Sequence, residues 1–162
     1  ILRQKGGDVS YDDLRSVIGV GEAKISVILA SLELARRYLL DSDQPIINSP
    51  EKAVELLADI RDKNQEYFVC LTLDGANRLI AKRVVTIGTL TASLVHPREV
   101  FADAIADRAA SIIVAHNHPS GSMRPSQADI ETTNRLKRAG ELLGIPLMSH
   151  LLITKQSFRT ID

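Results

Sequence analysis

Apolar and polar residues follow two different periods along the chain, and the changes of period predict the order of its elements. Apolar residues recur at helical spacing over residues 22–40 and again over 126–143. Shorter runs rich in aromatic and β-branched residues predict strands at 66–73, 79–87 and 111–115. The rest of the pattern predicts helices at 10–17, 50–62 and 97–110 and a last short strand at 151–153.

The alternation of strands and helices in the second part of the chain predicts an α/β domain, with a mixed α+β sheet flanked by helices. Residues 41–48 are polar and include Pro45, which indicates a linker. We therefore expect a small N-terminal helical hairpin over residues 1–43 and a main domain over residues 44–162.

The composition is that of a folded protein with a packed core. The chain has 162 residues, of which 44% are hydrophobic and 25% are charged, and this balance argues against disorder. Lys and Arg total 20, as do Asp and Glu, so the zero net charge gives no support to a nucleic-acid or anionic-membrane partner. We also expect no membrane association, because no apolar run approaches the length of a bilayer span.

Cys70 is the only cysteine, so the chain cannot form an intrachain disulfide. It lies in an apolar run, which predicts a buried thiol in a reducing compartment. The sequence shows no signal peptide, and we therefore expect a cytoplasmic protein.

Two histidines stand where the apolar run 111–115 ends. Residues two apart in an extended chain point to the same side, so the imidazoles of His116 and His118 can converge. Asp129 follows at the start of the predicted helix 126–143. Two histidines and a carboxylate are ordinary zinc ligands, and they leave a fourth position for a water whose pKa zinc lowers. The pattern predicts a site for one zinc ion at a strand end.

A simpler interpretation accounts for part of this pattern. Ser126 and Asp129 form a capping-box pattern, and a carboxylate in the first turn also suits the helix dipole, with no metal required. Helix capping does not explain the paired histidines. The two roles are compatible, because one carboxylate oxygen can cap the helix while the other binds a metal.

The segment His116-x-His118, seven residues, then Ser126-x-x-Asp129 resembles the H-x-H-x7-S-x-x-D signature of JAMM (MPN+) zinc metallopeptidases, the family of the deubiquitinating isopeptidases. The run HNHPSG followed by P-S, D and T resembles the bacterial RadC-like branch, and that likeness extends over nearly the whole chain. The resemblance implies a cytidine-deaminase-like JAB/MPN fold. It also implies a hydrolase of peptide or isopeptide bonds that holds one Zn²⁺ per chain. It implies that His116, His118 and Asp129 are the ligands and that Ser126 donates a hydrogen bond to the oxyanion.

A zinc hydrolase also needs a group that takes a proton from water and passes it to the leaving amine. The sequence offers Glu66, which opens an apolar strand, and Glu99, which lies near a helix start, and the residues alone do not decide between them. The JAMM pattern places its glutamate on the strand before H-x-H, and Q-E-Y-F-V around Glu66 resembles that position. The resemblance therefore favours Glu66 as the catalytic acid and base.

Ile18, Gly19, Val20 and Gly21 separate two predicted helices and resemble the turn of a helix-hairpin-helix, which brings backbone N–H groups to a nucleic-acid phosphate. RadC-like proteins resemble this segment too and carry a DNA-repair label. This gives an alternative function, a DNA-associated repair or recombination protein with a structural zinc site. Charge instead favours a plain helical hairpin, because residues 1–43 contain six Lys or Arg and seven Asp or Glu.

The remaining two histidines are weaker candidates for a role at the site. His96 precedes a proline, and we expect it to pack or to form a local hydrogen bond. We expect His150 to start the last strand, where it could support a ligand or face the substrate. RadC-like chains usually have Asp-His here, whereas this chain has Ser149-His150.

Two further expectations concern partners. A substrate of this site would be a protein or peptide, by the resemblance to the JAMM family. An exposed edge strand in the expected sheet could pair with a second copy and form a homo-oligomer. A protein-interaction domain that has lost activity is the least favoured interpretation, because inactive JAMM relatives typically lack ligands and all three are present here.

Overall fold

The computed structural model describes residues 9–39, 44–88 and 95–161. The chain divides into two compact units, Ile1–Gln44 and Pro45–Asp162. Within the predicted linker, residues 41–43 lie outside the described residues, whereas Ile46 pairs with Arg78 in an isolated bridge of the second unit.

The first unit is a helical hairpin. Helix α1 covers Tyr11–Arg15, and the side chain of its N-cap Ser10 forms a capping box with Asp13. A turn leads into helix α2, Glu22–Leu39. The small core of the hairpin consists of Val9, Leu14 and Ile25, with Val20, Ile28, Leu29 and Leu32 packed against them.

The second unit is built on a five-stranded mixed sheet in the order β2-β1-β3-β4-β5. Strand β1 pairs antiparallel with β2 and with β3, β3 pairs parallel with β4, and β4 pairs antiparallel with β5. The sheet therefore agrees with the predicted mixed α+β class. The strands are β1 Tyr67–Leu73, β2 Leu79–Ile87, β3 Ser111–Asn117, β4 Leu147–Ile153 and β5 Phe158–Ile161.

Helices cover both faces of this sheet. They are α3 Pro50–Leu56, followed by a 3₁₀ turn at Ala58–Ile60, then α4 Pro97–Ala106 and α5 Gln127–Leu143. Because successive residues of a strand face opposite sides, Val69 and Leu71 pack on the face with α3, while Phe68 and Cys70 pack on the face with α4 and α5. The parallel pair β3 and β4 is joined by α5, which crosses one face of the sheet.

The structure differs from the prediction in the last strands of the sheet. Strand β4 starts at Leu147, so His150 lies inside the strand rather than at its start. A further strand, β5, follows after a turn in which Thr154 and Ser157 exchange hydrogen bonds. Four residues are too few to show a period in the sequence, which is why the pattern gave no sign of β5.

The predicted helix 97–110 also ends early, at Ala106. Arg108 adopts a left-handed backbone with φ of 53°, and the Ala109 N–H bonds the Ala104 carbonyl at 2.9 Å. The left-handed residue and this hydrogen bond end the helix, and the chain then turns directly into β3.

Cys70 is buried in the sheet, as its apolar surroundings predict. Burial raises the pKa of its thiol to about 12, despite the opposing charge of Arg83, so the side chain behaves as a small apolar group. Among the described residues, no helix combines the length and the apolar character needed to cross a membrane.

Candidate metal centre

The end of strand β3 brings two histidines to one place. The side chain of His116 is fully buried and faces the α4 and α5 side of the sheet. The chain stays extended beyond Asn117, because the His118 N–H bonds the Ile153 carbonyl at 2.9 Å. The Nε2 atoms of the two histidines consequently lie 3.2 Å apart.

The start of helix α5 supplies the third group, Asp129. Ser126 is the N-cap, and its Oγ accepts a hydrogen bond from the Asp129 N–H at 3.2 Å. One carboxylate oxygen, Oδ2, accepts bonds from the Ser126 N–H and hydroxyl, both at 2.7 Å. The other oxygen, Oδ1, lies 3.4 Å from His116 Nε2. The helix-capping interpretation therefore describes Ser126 and Asp129 correctly, and it leaves the oxygen Oδ1 directed at His116.

Two of the three separations between donor atoms match a tetrahedral metal site, and the third is measured to the other oxygen of the Asp129 carboxylate. Two ligands at about 2.0–2.1 Å from zinc are about 3.3 Å apart in a tetrahedron. His116 Nε2 lies 3.2 Å from His118 Nε2 and 3.4 Å from Asp129 Oδ1, and His118 Nε2 lies 3.7 Å from Asp129 Oδ2. Among the described residues, these three form a group whose ligand atoms all lie within 4.8 Å of one another. The residues fit a metal ion with three protein ligands.

The charge distribution of the cluster suits a cation. Burial alone would raise the pKa of Asp129, but the interactions of its carboxylate with the imidazoles of His116 and His118 outweigh burial and lower that pKa well below the usual range. The hydrogen bond to Asp129 is also the main cause that raises the pKa of His118, and the charge of Glu66 adds to it. A buried carboxylate that stays ionised beside two imidazoles is the electrostatic arrangement of a metal site.

The second nitrogen of each histidine is also engaged. His118 Nδ1 lies 2.9 Å from the Ser122 carbonyl oxygen. His116 Nδ1 lies 2.9 Å from His150 Nε2, and His150 Nδ1 lies 2.6 Å from Thr133 Oγ1. Burial lowers the pKa of His150 to about 3, so its imidazole is neutral. Sequence reasoning gave Thr133 no role, because it meets His150 only through the fold.

Glu66 lies one residue before strand β1, at the margin of the cluster. Its side chain is half-buried, and it lines a groove of about 490 Å³ together with Asn64, Gln65, Gly88, Pro119 and Ser120. Strand β1 pairs Phe68 with His116 antiparallel, so Glu66 and His118 lie at the same end of these two strands. Glu99, by contrast, lies in the first turn of α4, where its exposed side chain pairs with Arg98 at 2.8 Å.

Asn117 connects the histidines to the segment that carries Glu66. Its buried side chain points away from His116, because neighbouring residues of a strand face opposite sides. The amide oxygen accepts a bond from the Tyr67 N–H at 2.7 Å, and the amide nitrogen donates to the carbonyls of Gln65 at 3.0 Å and Lys63 at 3.4 Å. Sequence reasoning missed this residue, although it lies between the two histidines.

The hydroxyl of Ser126 is not free in this structure. Its proton is donated to Asp129 Oδ2 while its oxygen accepts from the Asp129 N–H. The oxyanion role that the resemblance assigns to Ser126 therefore requires the hydroxyl to rotate away from the carboxylate.

The other predicted groups lie elsewhere. His96 is the N-cap of α4, where Nδ1 accepts a bond from the Arg98 N–H at 3.2 Å, in agreement with the expected local role. Ile18 is fully exposed in the turn of the first unit, and Gly19 adopts a φ of 83° there, which glycine allows at no steric cost. DNA binding by this turn stays a prediction.

Comparison with protein families matches residues 47–161 to the RadC-like JAB domain. The chain belongs to that family. The match covers the whole sheet and every residue of the metal-binding group, and the mixed sheet flanked by helices is consistent with a JAB/MPN fold. The resemblance found in the sequence is confirmed at this level.

Several curated relatives share most of the chain. A UPF0758 protein of Bacillus licheniformis is 49% identical over 93% of this chain and 69% of its own length. A UPF0758 protein of Methanospirillum hungatei is 46% identical over 95% of this chain and 70% of its own. The UPF0758 protein YsxA of Bacillus subtilis is 46% identical over 93% and 67%. This chain thus spans about two thirds of the length of these relatives, and their names state no activity.

Proposed function

We propose that this protein is a zinc-dependent hydrolase of peptide or isopeptide bonds. The observation that carries the proposal is the convergence of His116, His118 and Asp129, whose ligand atoms lie within 4.8 Å of one another, beside a groove that Glu66 lines. JAB domains are often hydrolytic, and membership of that family supports the same reaction class. The groove is open to solvent, so an extended peptide segment has access to it.

Zinc held by the three ligands would polarise the scissile carbonyl and lower the pKa of a water molecule towards neutrality. Glu66 takes the proton from that water as the new carbon–oxygen bond forms. It then gives the same proton to the nitrogen as the carbon–nitrogen bond breaks, so the amine leaves neutral. A half-buried carboxylate at the margin of the cluster suits both transfers.

Two residues prepare this chemistry. The Ser126 hydroxyl, rotated away from Asp129, donates to the oxygen that develops negative charge. Asn117 fixes the backbone on both sides of Glu66 through the bonds to Tyr67 and Gln65 and thereby sets the distance between base and ligands. The end of strand β3 holds the two histidines, and the buried side-chain amide of Asn117 keeps the Glu66 segment at a fixed position relative to them.

The test replaces Glu66 with Gln, which keeps the size of the side chain and removes its basicity. With fluorogenic peptides and isopeptide-linked peptides as substrates, we expect kcat to fall by about 10²- to 10⁴-fold, because that is the usual contribution of a general acid–base group. Zinc content should stay unchanged, since Glu66 is not among the three ligands. Glu99→Gln is the matched control and should keep full activity, because Glu99 is exposed and pairs with Arg98.

Equal activity of the Glu66→Gln variant and the wild type would remove Glu66 from the mechanism. A loss that appears equally in Glu99→Gln would show that the assay reports general damage rather than proton transfer. Hydrolysis that persists after zinc removal and zinc-free dialysis would contradict the proposal as a whole.

A further inference from the structure

A chain of buried hydrogen bonds runs from the backbone of helix α5 to the ligand His116. The Thr133 hydroxyl lies 2.7 Å from the Asp129 carbonyl oxygen, His150 Nδ1 lies 2.6 Å from Thr133 Oγ1, and His116 Nδ1 lies 2.9 Å from His150 Nε2. The side chains of Thr133, His150 and His116 are at most 1% exposed. Water therefore cannot replace any of these partners.

The chemistry of the groups allows only one direction for these bonds. Two oxygens 2.7 Å apart need a proton between them, and a backbone carbonyl has none, so Thr133 donates to Asp129. With its single proton used, Thr133 Oγ1 can only accept from His150, which places a proton on His150 Nδ1. His150 is buried against Phe68, Thr133 and His116, none of which carries a negative charge, so its imidazole holds that one proton and no second. His150 Nε2 is then a lone pair, and it accepts from the Nδ1–H of His116.

The consequence appears at the metal-binding side of His116. A neutral imidazole with its proton on Nδ1 has its lone pair on Nε2, the atom that faces Asp129 Oδ1 and His118 Nε2. His118 is set in the same way, because its Nδ1 faces a carbonyl, that of Ser122, and must donate. A divalent cation that takes the place of the proton between His118 and Asp129 then meets three lone-pair groups together.

The packing of Phe68 and helix α5 holds this chain of hydrogen bonds in place. We call the chain, formed by Thr133, His150 and His116, the relay. Phe68 lies edge-on to His150 with ring centroids 5.5 Å apart, and it stacks parallel to His116 at 6.3 Å. Asp129 and Thr133 are one turn apart on α5, so the ligand and the start of the relay move as one body. Any shift of this helical turn changes the carboxylate and the relay at once.

We propose that Thr133 and His150 are positioning residues that fix the Nδ1–H tautomer of His116 and so prepare its Nε2 for a divalent cation. The proposal rests on the metal site of the proposed function, and it adds the residues that orient the His116 ring and fix its tautomer. Outer partners of metal-binding histidines usually accept through a carboxylate, a carbonyl or water. Here a second neutral imidazole accepts instead, and it is held in one tautomer by a threonine.

The experiment compares Thr133→Val with Thr132→Val. Valine keeps the shape of threonine and removes the hydroxyl, which leaves the Nδ1–H of His150 without an acceptor. Thr132 is the matched control, since it is also buried on α5 but its hydroxyl accepts from Arg135 rather than from His150. Thr133→Ser restores the hydroxyl without the methyl group and separates hydrogen bonding from packing.

Two measurements are made on each variant. Long-range nitrogen–proton NMR correlations in the metal-free protein at mildly alkaline pH report the tautomers of His116 and His150. We expect the Nδ1–H form for both in the wild type, in Thr132→Val and in Thr133→Ser, and loss of that form in Thr133→Val. Competition with a chromophoric chelator reports Zn²⁺ affinity, which should fall about 10- to 100-fold in Thr133→Val only.

Wild-type tautomers and wild-type zinc affinity in Thr133→Val would overturn the proposal. An equal loss of affinity in Thr132→Val would also overturn it, because the effect would then come from the packing of the helix. Failure of the wild type to bind zinc would end the proposed function, while the tautomers of the metal-free protein would still decide for or against the relay. The two failures are therefore distinguishable.

Discussion

At the scale of single residues, the two carboxylate oxygens of Asp129 have separate tasks. Oδ2 completes the capping box with Ser126, while Oδ1 faces His116. The cap fixes the side-chain rotamer, and the fixed rotamer directs Oδ1 towards the donor nitrogen. A motif that stabilises a helix start thus also orients the oxygen that the proposed metal site needs, so the capping and metal-binding interpretations of Asp129 are compatible with one arrangement.

A second carboxylate, Asp107, has a purely structural role that can be measured. A hydrogen bond from Arg83 lowers the pKa of Asp107 in spite of its burial, and the Thr72 hydroxyl adds a bond at 2.7 Å. We expect Asp107→Asn to lower the free energy of unfolding by about 1–2 kcal/mol near neutral pH, with Arg83 partly screened by solvent. Urea unfolding of both proteins gives this difference.

The sign of the pH dependence follows from the lowered pKa. Because the folded-state pKa of Asp107 lies below its unfolded value, the stabilisation is complete above the unfolded pKa of about 3.9 and is lost as the pH falls through the folded pKa. The gap between wild type and Asp107→Asn should therefore close in strong acid. Asp103→Asn is the control and should change little, since Asp103 is 54% exposed and 3.8 Å from Arg83. A gap that widens in acid would contradict this account.

Residue types and spacing were enough to predict the three donor groups, because each follows from a local signal. His116 and His118 share one side of an extended chain, and Asp129 occupies the third position of a capped helix. Thr133 and Asn117 could not be predicted, because their partners are distant in sequence. Thr133 meets a histidine 17 residues away, and Asn117 meets a backbone N–H 50 residues away.

At the scale of elements, helix α5 connects the cluster to the core of the second unit. Its first two turns carry Asp129 and Thr133, and its last turns approach the start of β4 at Gly140. A Cβ on Gly140 would lie 2.5 Å from the Ile145 carbonyl oxygen and 3.3 Å from the Phe101 ring. The close approach requires glycine here, although the backbone of Gly140 is helical.

Gly140→Ala should lower the free energy of unfolding by about 1–3 kcal/mol, because the obstacle is backbone and the helix must shift as a whole. Thermal or urea unfolding measures the effect. Gly75→Ala is the control: no atom lies within 4 Å of the added Cβ in that turn, and stability should stay equal or rise by less than about 1 kcal/mol. Equal stability of Gly140→Ala and wild type would show that the loop after α5 yields freely.

The elements differ in how well local sequence determines them. Helix α5 starts at its Ser126 cap and ends at Gly144, which adopts a left-handed φ of 69°, so both limits are encoded locally. Strands β4 and β5 are defined by pairing instead. His150 pairs with Val114 on one side and Ile161 on the other, and this register exists only in the assembled sheet. The sequence pattern accordingly missed the start of β4 and the whole of β5.

At the scale of the molecule, all residues of the candidate metal centre belong to the second unit. The candidate ligands His116, His118 and Asp129, together with Glu66, Thr133 and His150, all lie within Pro45–Asp162, and the family match covers residues 47–161. One sheet and one crossing helix are sufficient to assemble the site. We therefore expect one zinc ion per chain, with all of its protein ligands from that chain.

The most direct measurement is the zinc content of the purified protein, determined by mass spectrometry for the wild type, Asp129→Ala and Ser126→Ala. Both variants break the same capping box, but only Asp129→Ala removes a donor oxygen. We expect about one zinc per chain in the wild type and in Ser126→Ala and none in Asp129→Ala, with circular dichroism unchanged. A folded wild type without zinc, or zinc retained in Asp129→Ala, would contradict it.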